Sequence, residues 1–423
     1  MSDAPHPLKL RDYRLIWLTR FVSVNATTAI VVVIGAQTYR IARLAHGMSP
    51  KEAAFMLGLL GLAQFIPFLL LTPLAGLVAD RLDRRIVAAA STAIDLVIAL
   101  VLALANARGF LSLPLLFSLA AAHGAARVFI GPSVSAIVPN VVPAAQLPKA
   151  IAFSSIAWQS ASVIGPSLAG FLLARDPALP YWYASVLLVV AIGCVLRIHP
   201  IPRPAISNLH PLRQIAEGAG FVWHERFLLG CVTLDLFAVL LGGATAMLPA
   251  FAYDVLHVGD EGLGLMRAAP GLGAALVALW LGIVPLARNV GPKMLWAVVV
   301  YGFATLVFGL STSFPLSLAM LALLGASDQV SVFIRNTLVQ LNTPDDKRGR
   351  VSSISGLAIS ASNELGEMQS GLAAALLGPI GAVALGGAGA ILITAIWTII
   401  FPELRKATTF APQYRQKEPS HEG

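Results

Sequence analysis

Two glutamates, Glu364 and Glu367, lie three residues apart within a long apolar stretch of this 423-residue chain. Residues three apart on a helix share one face. Burial and a like-charged neighbour both favour the protonated form of a carboxyl group, so this pair is the first candidate for binding and releasing a proton. A structural interpretation is also open, in which a neighbouring arginine holds one glutamate or one of them caps a helix break near Gly366.

Seven more charged residues interrupt apolar segments, and such residues usually face a cavity or pair with one another. Asp235 and Asp328 are the second candidates for proton binding, although each is as easily explained as an ion-pair partner between helices. Arg20 and Arg267 lie near the ends of predicted helices, where long side chains can reach the membrane surface, so we rank them lower. The seven are Arg20, Asp95, Arg127, Asp235, Arg267, Asp328 and Arg335.

The elements that must position these residues are membrane-spanning helices. Hydrophobic residues make up 57% of the chain and charged residues only 12%, whereas soluble domains are about one quarter charged. A spanning helix needs about 20 apolar residues, and continuous apolar runs argue against the strict alternation of a membrane barrel. The sequence predicts an all-α membrane protein with twelve transmembrane helices, beginning near Leu15, Ala53, Ile86, Leu111, Lys149, Pro180, Phe227, Gly262, Lys293, Phe314, Val351 and Pro379.

The distribution of basic residues predicts the orientation. Of the 29 lysines and arginines, 20 fall in segments that a twelve-helix topology with both termini inside places in the cytoplasm, and 5 fall in external loops. This asymmetry follows the positive-inside rule and explains the net charge of +8 without nucleic-acid binding. No cleavable signal is apparent, because the first apolar segment is too long for one. Cys194 and Cys231 suit packing better than a disulfide or a metal site.

Short internal repeats predict two halves. The sequence Val-Phe-Ile at 128–130 returns at 332–334, an offset of 204 residues, and Ser-Ser-Ile at 154–156 returns at 352–354. We therefore expect a six-helix half at 1–198, a linker at 199–226, a second six-helix half at 227–405 and a tail at 406–423. Within the linker, Leu212 to Glu225 is amphipathic and is expected to lie along the inner membrane surface. Parallel six-helix repeats are typical of transporters whose halves rock around a central site.

A charged loop carries a specific family resemblance. The ten residues 76–85 place five charges between two apolar runs, and a charge costs about 2.5–3.5 kcal/mol at the centre of a membrane helix. The segment therefore forms a turn at the membrane surface. It resembles the loop signature of the major facilitator superfamily, with Asp83 in place of a second glycine, at Gly76, Asp80, Arg81, Arg84 and Arg85.

Further motifs are similar to those of the bacterial drug:proton antiporters within that superfamily. They are Arg127 with Gly131 in the fourth helix, the fifth-helix sequence GPSLAG at 165–170, and FPELR at 401–405. The chain resembles, more narrowly, the enterobactin-exporter-like (transmembrane secretion effector) branch. In the fifth-helix motif, Gly165, Pro166 and Gly170 match, while Ala161 and Ala169 replace glycines. Small residues and a proline there predict a closely packed helix interface with a kink, although ordinary packing would explain them as well.

The resemblance implies roles for several residues. Arg127 would lie near the proton site, with His123 one turn before it, and the third helix with Asp95 would lie away from the cavity. The 76–85 loop would form a cytoplasmic gate, with Asp80 at the N-terminus of the eleventh helix. Arg81, Arg84 and Arg85 would pair with carboxylates across the halves, and one of them would hold Asp83. The expected cavity residues are Asn25, Gln37, His123, Phe129, Trp158, Gln159, Phe237, Phe333, Arg335, Asn336 and Asn363.

The leading interpretation is a proton-driven exporter of amphipathic small molecules in a bacterial inner membrane, functional as a monomer. Uptake of a nutrient with protons, or lysophospholipid flipping on the same fold, are the alternatives within transport. A scaffold or sensor has little reason to bury nine charges. We expect no enzyme activity, cofactor, metal or nucleic-acid partner, since the chain lacks a GxxxxGK[ST] phosphate loop and an evident nucleophile with its base.

Overall fold

Helices account for all the regular structure in the part of the chain that the structure describes. This computed structural model describes residues 7–143, 146–200, 211–284, 286, 288–344 and 347–410. The helices are α1 (Arg11–Arg40), α2 (Pro50–Arg81), α3 (Arg84–Arg108), α4 (Leu113–Val141), α5 (Leu147–Leu173), α6 (Leu179–Leu196), α7 (Pro211–His224), α8 (Arg226–Leu241), α9 (Leu248–Ala250), α10 (Gly259–Ile283), α11 (Val290–Leu310), α12 (Phe314–Leu341), α13 (Arg348–Ile400) and α14 (Pro402–Lys406).

The described helices account for twelve membrane crossings. Eleven helical spans are long and apolar enough to cross a membrane, and α8 with α9 forms one span that ends at Val255. The 53-residue α13 is interrupted at Gly378, which has a φ of 81°. An uninterrupted helix of that length would extend roughly 80 Å, more than twice the hydrocarbon core, so the chain turns back at Gly378. The predicted twelve-helix fold is confirmed.

Local sequence explains several helix boundaries. Ser49 and Glu52 form a capping box at the start of α2, which satisfies backbone donors that have no partner inside the helix. The Asp83 carboxylate accepts a hydrogen bond from the Arg85 backbone N–H and begins α3. Gly109 ends α3 with a φ of 72°, a conformation that costs glycine little. Thus α3 has a defined start directly after the charged loop.

The two halves pack together at one end of the molecule, which we call the closed end. There α2 contacts α13, and α5 contacts α10. Small residues allow this approach: a Cβ atom added to Gly58 would lie 2.7 Å from the Gly371 Cα, and one added to Gly170 would lie 2.6 Å from the Gly264 Cα. One hydrophobic core at this end draws residues from both halves, including Leu57, Met247, Phe251 and Phe308.

At the opposite end, which holds the α2–α3 loop and which we call the loop end, each half has its own core. Tyr13, Ile16 and Ile137 belong to the core of the first half, while Phe227 and Leu338 belong to that of the second half. Among the described residues, the halves therefore share a core at the closed end and have separate cores at the loop end. Such a shape leaves a cavity between them.

The segment that connects the halves includes α7. Val222 of α7 is buried in the core of the second half, whereas Trp223 is 73% exposed. This arrangement suits the amphipathic helix that the sequence predicts. Residues 201–210 lie outside the described part of the chain, and the domain boundaries at 198, 226 and 405 stay predictions.

Candidate functional site

A cavity of about 460 Å³ lies between the halves. Its lining comes chiefly from α1, α4 and α5, and α10 contributes Arg267 from the second half. The polar and aromatic part of the lining contains Arg20, Asp95, His123, Arg127, Trp158 and Arg267. The apolar part contains Val24, Val31, Val32, Ile130, Val134 and Pro166.

An ion pair joins the halves beside this cavity. The guanidinium of Arg127 on α4 donates a hydrogen bond to the carboxylate of Glu364 on α13. The Glu364 side chain is only 8% exposed, while that of Arg127 is 37% exposed. Arg127 also lies over the ring of Phe68, 5.3 Å from its centroid. Two residues predicted to handle protons are therefore in direct contact, although 237 positions separate them in sequence.

Glu367 lies one turn along α13 from that pair. Its side chain packs against Gly61 of α2. The contact is so close that a Cβ atom added to Gly61 would lie 2.9 Å from Glu367 Oε2. Glu367 also interacts electrostatically with Glu364, Arg127 and Arg267. The structure thus brings both glutamates and two arginines to one region at the junction of the halves.

The second ion pair of buried side chains lies inside the second half. Arg335 of α12 contacts Asp235 of α8, and the two side chains are 5% and 9% exposed. Helical spacing places Arg335 on the same face as Asp328, but its partner is Asp235. Asp328 lies near Tyr301 and has no hydrogen bond or ion pair to any described residue. Neither aspartate is part of the cavity lining that the structure shows.

The third helix contributes to the cavity, in contrast to the expectation for Asp95. Its carboxylate lies in the lining and 2.8 Å from His123 Nδ1, with both side chains almost fully buried. The reason is that α3 packs directly against α4, so Asp95 extends between the helices to His123. A polar pair in the wall of the cavity results.

Arg20 and Arg267 also occupy the lining, where the sequence analysis expected them to reach the membrane surface. Arg20 is nine residues into α1 and Arg267 eight residues into α10, or roughly 12 to 14 Å along each helix at about 1.5 Å per residue. This depth is too great for the side chain to reach the surface. The Arg267 Nε atom is buried without a hydrogen-bond partner among the described residues.

Of the other expected cavity residues, Trp158 is in the lining, and several have contacts elsewhere. Gln159 donates a hydrogen bond to the Gly271 carbonyl at 3.0 Å, which links α5 to α10. Asn25 accepts one from the Tyr183 hydroxyl at 2.7 Å. Gln37 donates to Asn106 Oδ1 at 2.7 Å and accepts from Tyr181 at 2.8 Å. These amides therefore stabilise helix contacts in the first half and at the junction.

The remaining members of that set lie outside the main cavity. Phe237 packs against Trp397, with 5.2 Å between ring centroids. Phe333 and Asn336 line a second groove on α12, where the Phe333 ring meets Phe410 edge to face. Phe129 is half-buried and Asn363 exposed. The cavity therefore uses fewer aromatic and amide residues, and more arginines, than the sequence indicates.

The glycines of the fifth-helix motif face two different neighbours. A Cβ atom added to Gly165 would lie 2.5 Å from the Asn25 carbonyl oxygen of α1. Gly170 faces Gly264 of α10 across the junction, and Pro166 between them contributes to the cavity wall. The motif therefore packs against both halves at the closed end of the cavity.

The α2–α3 loop is held by contacts within the first half. Asp83 and Arg85 form an ion pair at 2.6 Å, and Arg85 also donates to the Ile198 carbonyl at 2.5 Å. No contact of Arg85 across the halves is present in the described part of the chain. The side chains of Gly76, Asp80 and Arg81 lie outside the described part, and Arg84 begins α3.

Ion pairs join the halves at the closed end, and the sequence did not predict them. We call this set of contacts the closed-end gate. Arg43 binds Asp254 at 3.0 Å and Arg40 binds Asp260 at 3.1 Å, while Tyr39 donates a hydrogen bond to Asp254. All three donors come from the end of the first span; Asp254 comes from the end of the seventh span and Asp260 from the first turn of α10. The signal was present: basic residues after the first span have acidic counterparts after the seventh.

Comparison with known proteins decides the family. The sequence matches the family model described as Major Facilitator Superfamily over residues 16–367. This chain belongs to the major facilitator superfamily. It is a transporter of that superfamily and not an enzyme, in agreement with the fold.

Two similar curated proteins are enterobactin exporters. One, EntS of Citrobacter koseri, is 26% identical over 417 residues, which is 97% of this chain and 95% of that protein. The EntS protein of Escherichia coli O1:K1 / APEC is 25% identical over 407 residues, with 95% and 94% covered. The chain is thus similar to this exporter branch over almost its entire length.

Solved structures of other transporters share the fold. A D-xylose–proton symporter has a TM-score of 0.73 at 13% identity, with 92% of this chain and 98% of that chain covered. A POT family transporter in complex with a thioalcohol-conjugated peptide has a TM-score of 0.73 at 12% identity, with 95% and 99% covered. At these identities, the likeness concerns the fold.

Proposed function

We propose that this transporter exports amphipathic small molecules, siderophores among them, in exchange for protons across the bacterial inner membrane. The observation that carries the proposal is the ion pair between Arg127 and Glu364, which joins the two halves beside the cavity. Relatives named as enterobactin exporters support the outward direction. Protonation of Glu364 would remove one charge of the pair and weaken the contact between the halves.

This contact links proton binding to alternating access. A ligand shifts a conformational equilibrium only if it binds one state better than the other. A proton on Glu364 favours states in which Arg127 and Glu364 are apart, whereas the ionised carboxylate favours the state seen here. Glu367, one turn away and close to Gly61, would be the second site in the same relay.

The conformation fits the first step of export. With both termini in the cytoplasm, the closed end faces outward and the loop end faces the cytoplasm, because α1 runs from the loop end to the gate residues Arg40 and Arg43. The cavity would then receive substrate from inside the cell. The α2–α3 loop would close the inner side in the opposite state, and Asp83 with Arg85 would be available for new partners once the halves approach.

The available energy is sufficient for such a cycle. One charge moved through 100 mV provides about 2.3 kcal/mol, and one pH unit adds about 1.4 kcal/mol. One proton per cycle would therefore sustain a substrate gradient of about a few hundred-fold. A monomer suffices, since the cavity lies between the two halves of one chain.

Reconstitution in inside-out vesicles tests the proposal. With the lumen acidic, enterobactin added outside should raise the lumenal pH, recorded by an enclosed fluorescent dye, because protons leave as substrate enters. Glu364→Gln and Glu367→Gln should abolish that proton signal. Glu261→Gln is the matched control, since Glu261 is an exposed carboxylate on α10, and it should exchange at the wild-type rate.

Other outcomes identify the alternatives. A fall in lumenal pH on adding enterobactin would indicate symport and hence an uptake permease. Movement of a labelled lysophospholipid, without a response to enterobactin, would indicate a flippase. Wild-type proton signals from both glutamine variants would show that neither glutamate couples protons to transport. If the protein moves none of these solutes, the result contradicts the proposed substrates, and a role as a scaffold or sensor becomes the interpretation to test.

A further inference from the structure

We propose that the cavity binds an amphipathic organic anion whose acidic group sits against the guanidinium groups of Arg20 and Arg267. The proposal rests on the proposed function for its biological use, because it names the class of substrate. The binding itself requires neither protons nor a membrane gradient. Binding can therefore be tested separately from transport.

Two arginines in the cavity wall are without a hydrogen-bonded partner among the described residues. Arg127 is bound to Glu364, but Arg20 and Arg267 have no hydrogen bond or ion pair from their side chains to any described residue. Arg20 lies near Tyr13, whose hydroxyl donates to the Ala150 carbonyl. Both arginines are half-buried. A guanidinium carries five donors and stays charged, and taking it out of water without a partner is costly. Both groups are therefore sites that a ligand anion would satisfy.

Two of the three carboxylates nearby are held by other side chains. Asp95 contacts His123, and Glu364 contacts Arg127. Glu367 packs at Gly61 and affects Arg267 through space, without a hydrogen bond to it. The donors of Arg20 and Arg267 thus remain without a hydrogen-bonded carboxylate among the described residues. Charge-assisted bonds from arginine to carboxylate or a similar oxyanion are among the strongest polar contacts.

The rest of the wall defines the body of the ligand. Val24, Val31, Ile130 and Val134 provide an aliphatic surface, and the Trp158 ring provides an aromatic one. The cavity of about 460 Å³ lies within the usual range for small-molecule sites, about 300–1,000 Å³. An aromatic or aliphatic body with one acidic group matches this wall. A polyanion without apolar surface does not, since most of the lining would be left without contacts.

The membrane potential would favour export of such a ligand. An anion that leaves the cell moves down an inside-negative potential, and a proton that enters in exchange moves charge in the same sense. Exchange of a monovalent anion for one proton therefore displaces two charges per cycle in the favourable direction.

Three probes of nearly equal shape test the charge preference. They are naphthalene-2-carboxylate, naphthalene-2-carboxamide and naphthalen-2-ylmethylammonium, titrated against the full chain in detergent at neutral pH by calorimetry. The carboxylate should bind about tenfold more tightly than the carboxamide, because a hydrogen bond to a charged group exceeds a neutral one by about that factor. The ammonium should bind most weakly.

Substitutions then locate the acidic group. Arg20→Gln and Arg267→Gln should each weaken carboxylate binding about tenfold and leave carboxamide binding unchanged, while Arg267→Lys should keep part of the affinity because it keeps the charge. Arg175→Gln is the matched control, since Arg175 is exposed and lies over the Phe171 ring. If a glutamine variant does not fold, the lysine variant and the three probes on the wild type still decide the question.

Several results would overturn the assignment. Equal binding of carboxylate and carboxamide by the wild type, or preference for the ammonium, would exclude an anion site. So would unchanged carboxylate affinity in both glutamine variants, or the absence of carboxylate binding altogether. Failure of proton exchange with enterobactin would instead contradict the transport mechanism and leave these binding results valid.

Discussion

Two arginine–carboxylate pairs among the described residues, Arg127 with Glu364 and Arg335 with Asp235, have the same chemistry and different surroundings. The Arg127–Glu364 pair connects α4 of the first half to α13 of the second, and its arginine is 37% exposed to the cavity. The Asp235–Arg335 pair connects α8 to α12 inside the second half, and both of its side chains are less than a tenth exposed. One pair spans the junction between the halves, and the other lies within one half.

The difference shows that the free-energy cost of breaking an ion pair depends on where the pair lies in the fold. Removing one partner of a fully buried pair leaves the other uncompensated, at a cost of about 3–5 kcal/mol. A pair at the edge of a water-accessible cavity retains solvent around its arginine, so breaking it costs much less. The proposed alternating access requires contacts between the halves that break in each cycle, and of these two pairs the one across the junction meets that requirement.

The largest effect should come from the pair inside the second half. Asp235→Asn leaves Arg335 charged and buried, so the free energy of unfolding in detergent should fall by about 3–5 kcal/mol. The double variant Asp235→Asn/Arg335→Gln removes both charges and should recover more than half of the loss. A single variant as stable as the wild type would show that this pair does not stabilise the fold.

The closed-end gate should have the next largest effect, on conformation. Asp254 accepts hydrogen bonds from Arg43 and Tyr39, but these ion-paired side chains are 24% to 30% exposed, which limits each contact. Asp254→Asn should favour opening of this end by about 1–2 kcal/mol, or about tenfold in population. Spin labels at Arg175 and Glu261, with both native cysteines replaced, would report a longer distance between the halves.

A second aspartate at the same end provides the control for that measurement. Asp176 accepts a hydrogen bond from the Ala178 backbone N–H, a contact within the first half. Asp176→Asn should leave the distance distribution unchanged. Equal shifts in both variants would mean that the gate pair does not hold the end closed.

The pair across the junction should contribute little to stability. Glu364→Gln should lower the free energy of unfolding by about 1 kcal/mol, although the same variant should abolish proton exchange. The unfolding assay used for Asp235→Asn measures this directly. A loss as large as that of Asp235→Asn would remove the distinction between the two pairs.

The smallest effect should come from an ion pair at the surface. Arg226 lies 3.8 Å from Glu403, and its side chain is 66% exposed. Arg226→Gln should change the free energy of unfolding by about 0.5 kcal/mol or less, the usual range for exposed pairs. If Arg226→Gln lowers the free energy of unfolding by more than Glu364→Gln does, the exposure of an ion pair does not determine its contribution to stability.

The fold was predictable from the sequence because each membrane-spanning helix is encoded by a continuous apolar segment of the chain. An apolar run of sufficient length predicts a span, and even the break inside α13 was expected near Pro379, one residue after Gly378. The family motifs added the arrangement of the spans. Local pattern therefore sufficed for the number and type of elements.

The site was less predictable because its contacts join distant positions. Helical spacing shows that Arg335 and Asp328 share a face of α12. It cannot show that the ion-pair partner of Arg335 is Asp235 on another helix. The lengths of α1 and α10 place Arg20 and Arg267 deep in the cavity, and an uncertainty of several residues in a boundary conceals this depth. The gate between Arg43 and Asp254 joins two turns that are 211 positions apart, so its signal, basic residues at one turn and acidic residues at the other, is visible only when the two segments are compared.

The turn at Gly378 has a consequence for how the protein is made. Gly378 is the one non-helical position within residues 348–400, so almost no soluble chain separates the last two spans. With no loop between them, these two helices are held side by side as soon as both are made. The eleventh and twelfth helices should therefore enter as a single hairpin, and the acidic residues of the eleventh enter already shielded by an apolar companion.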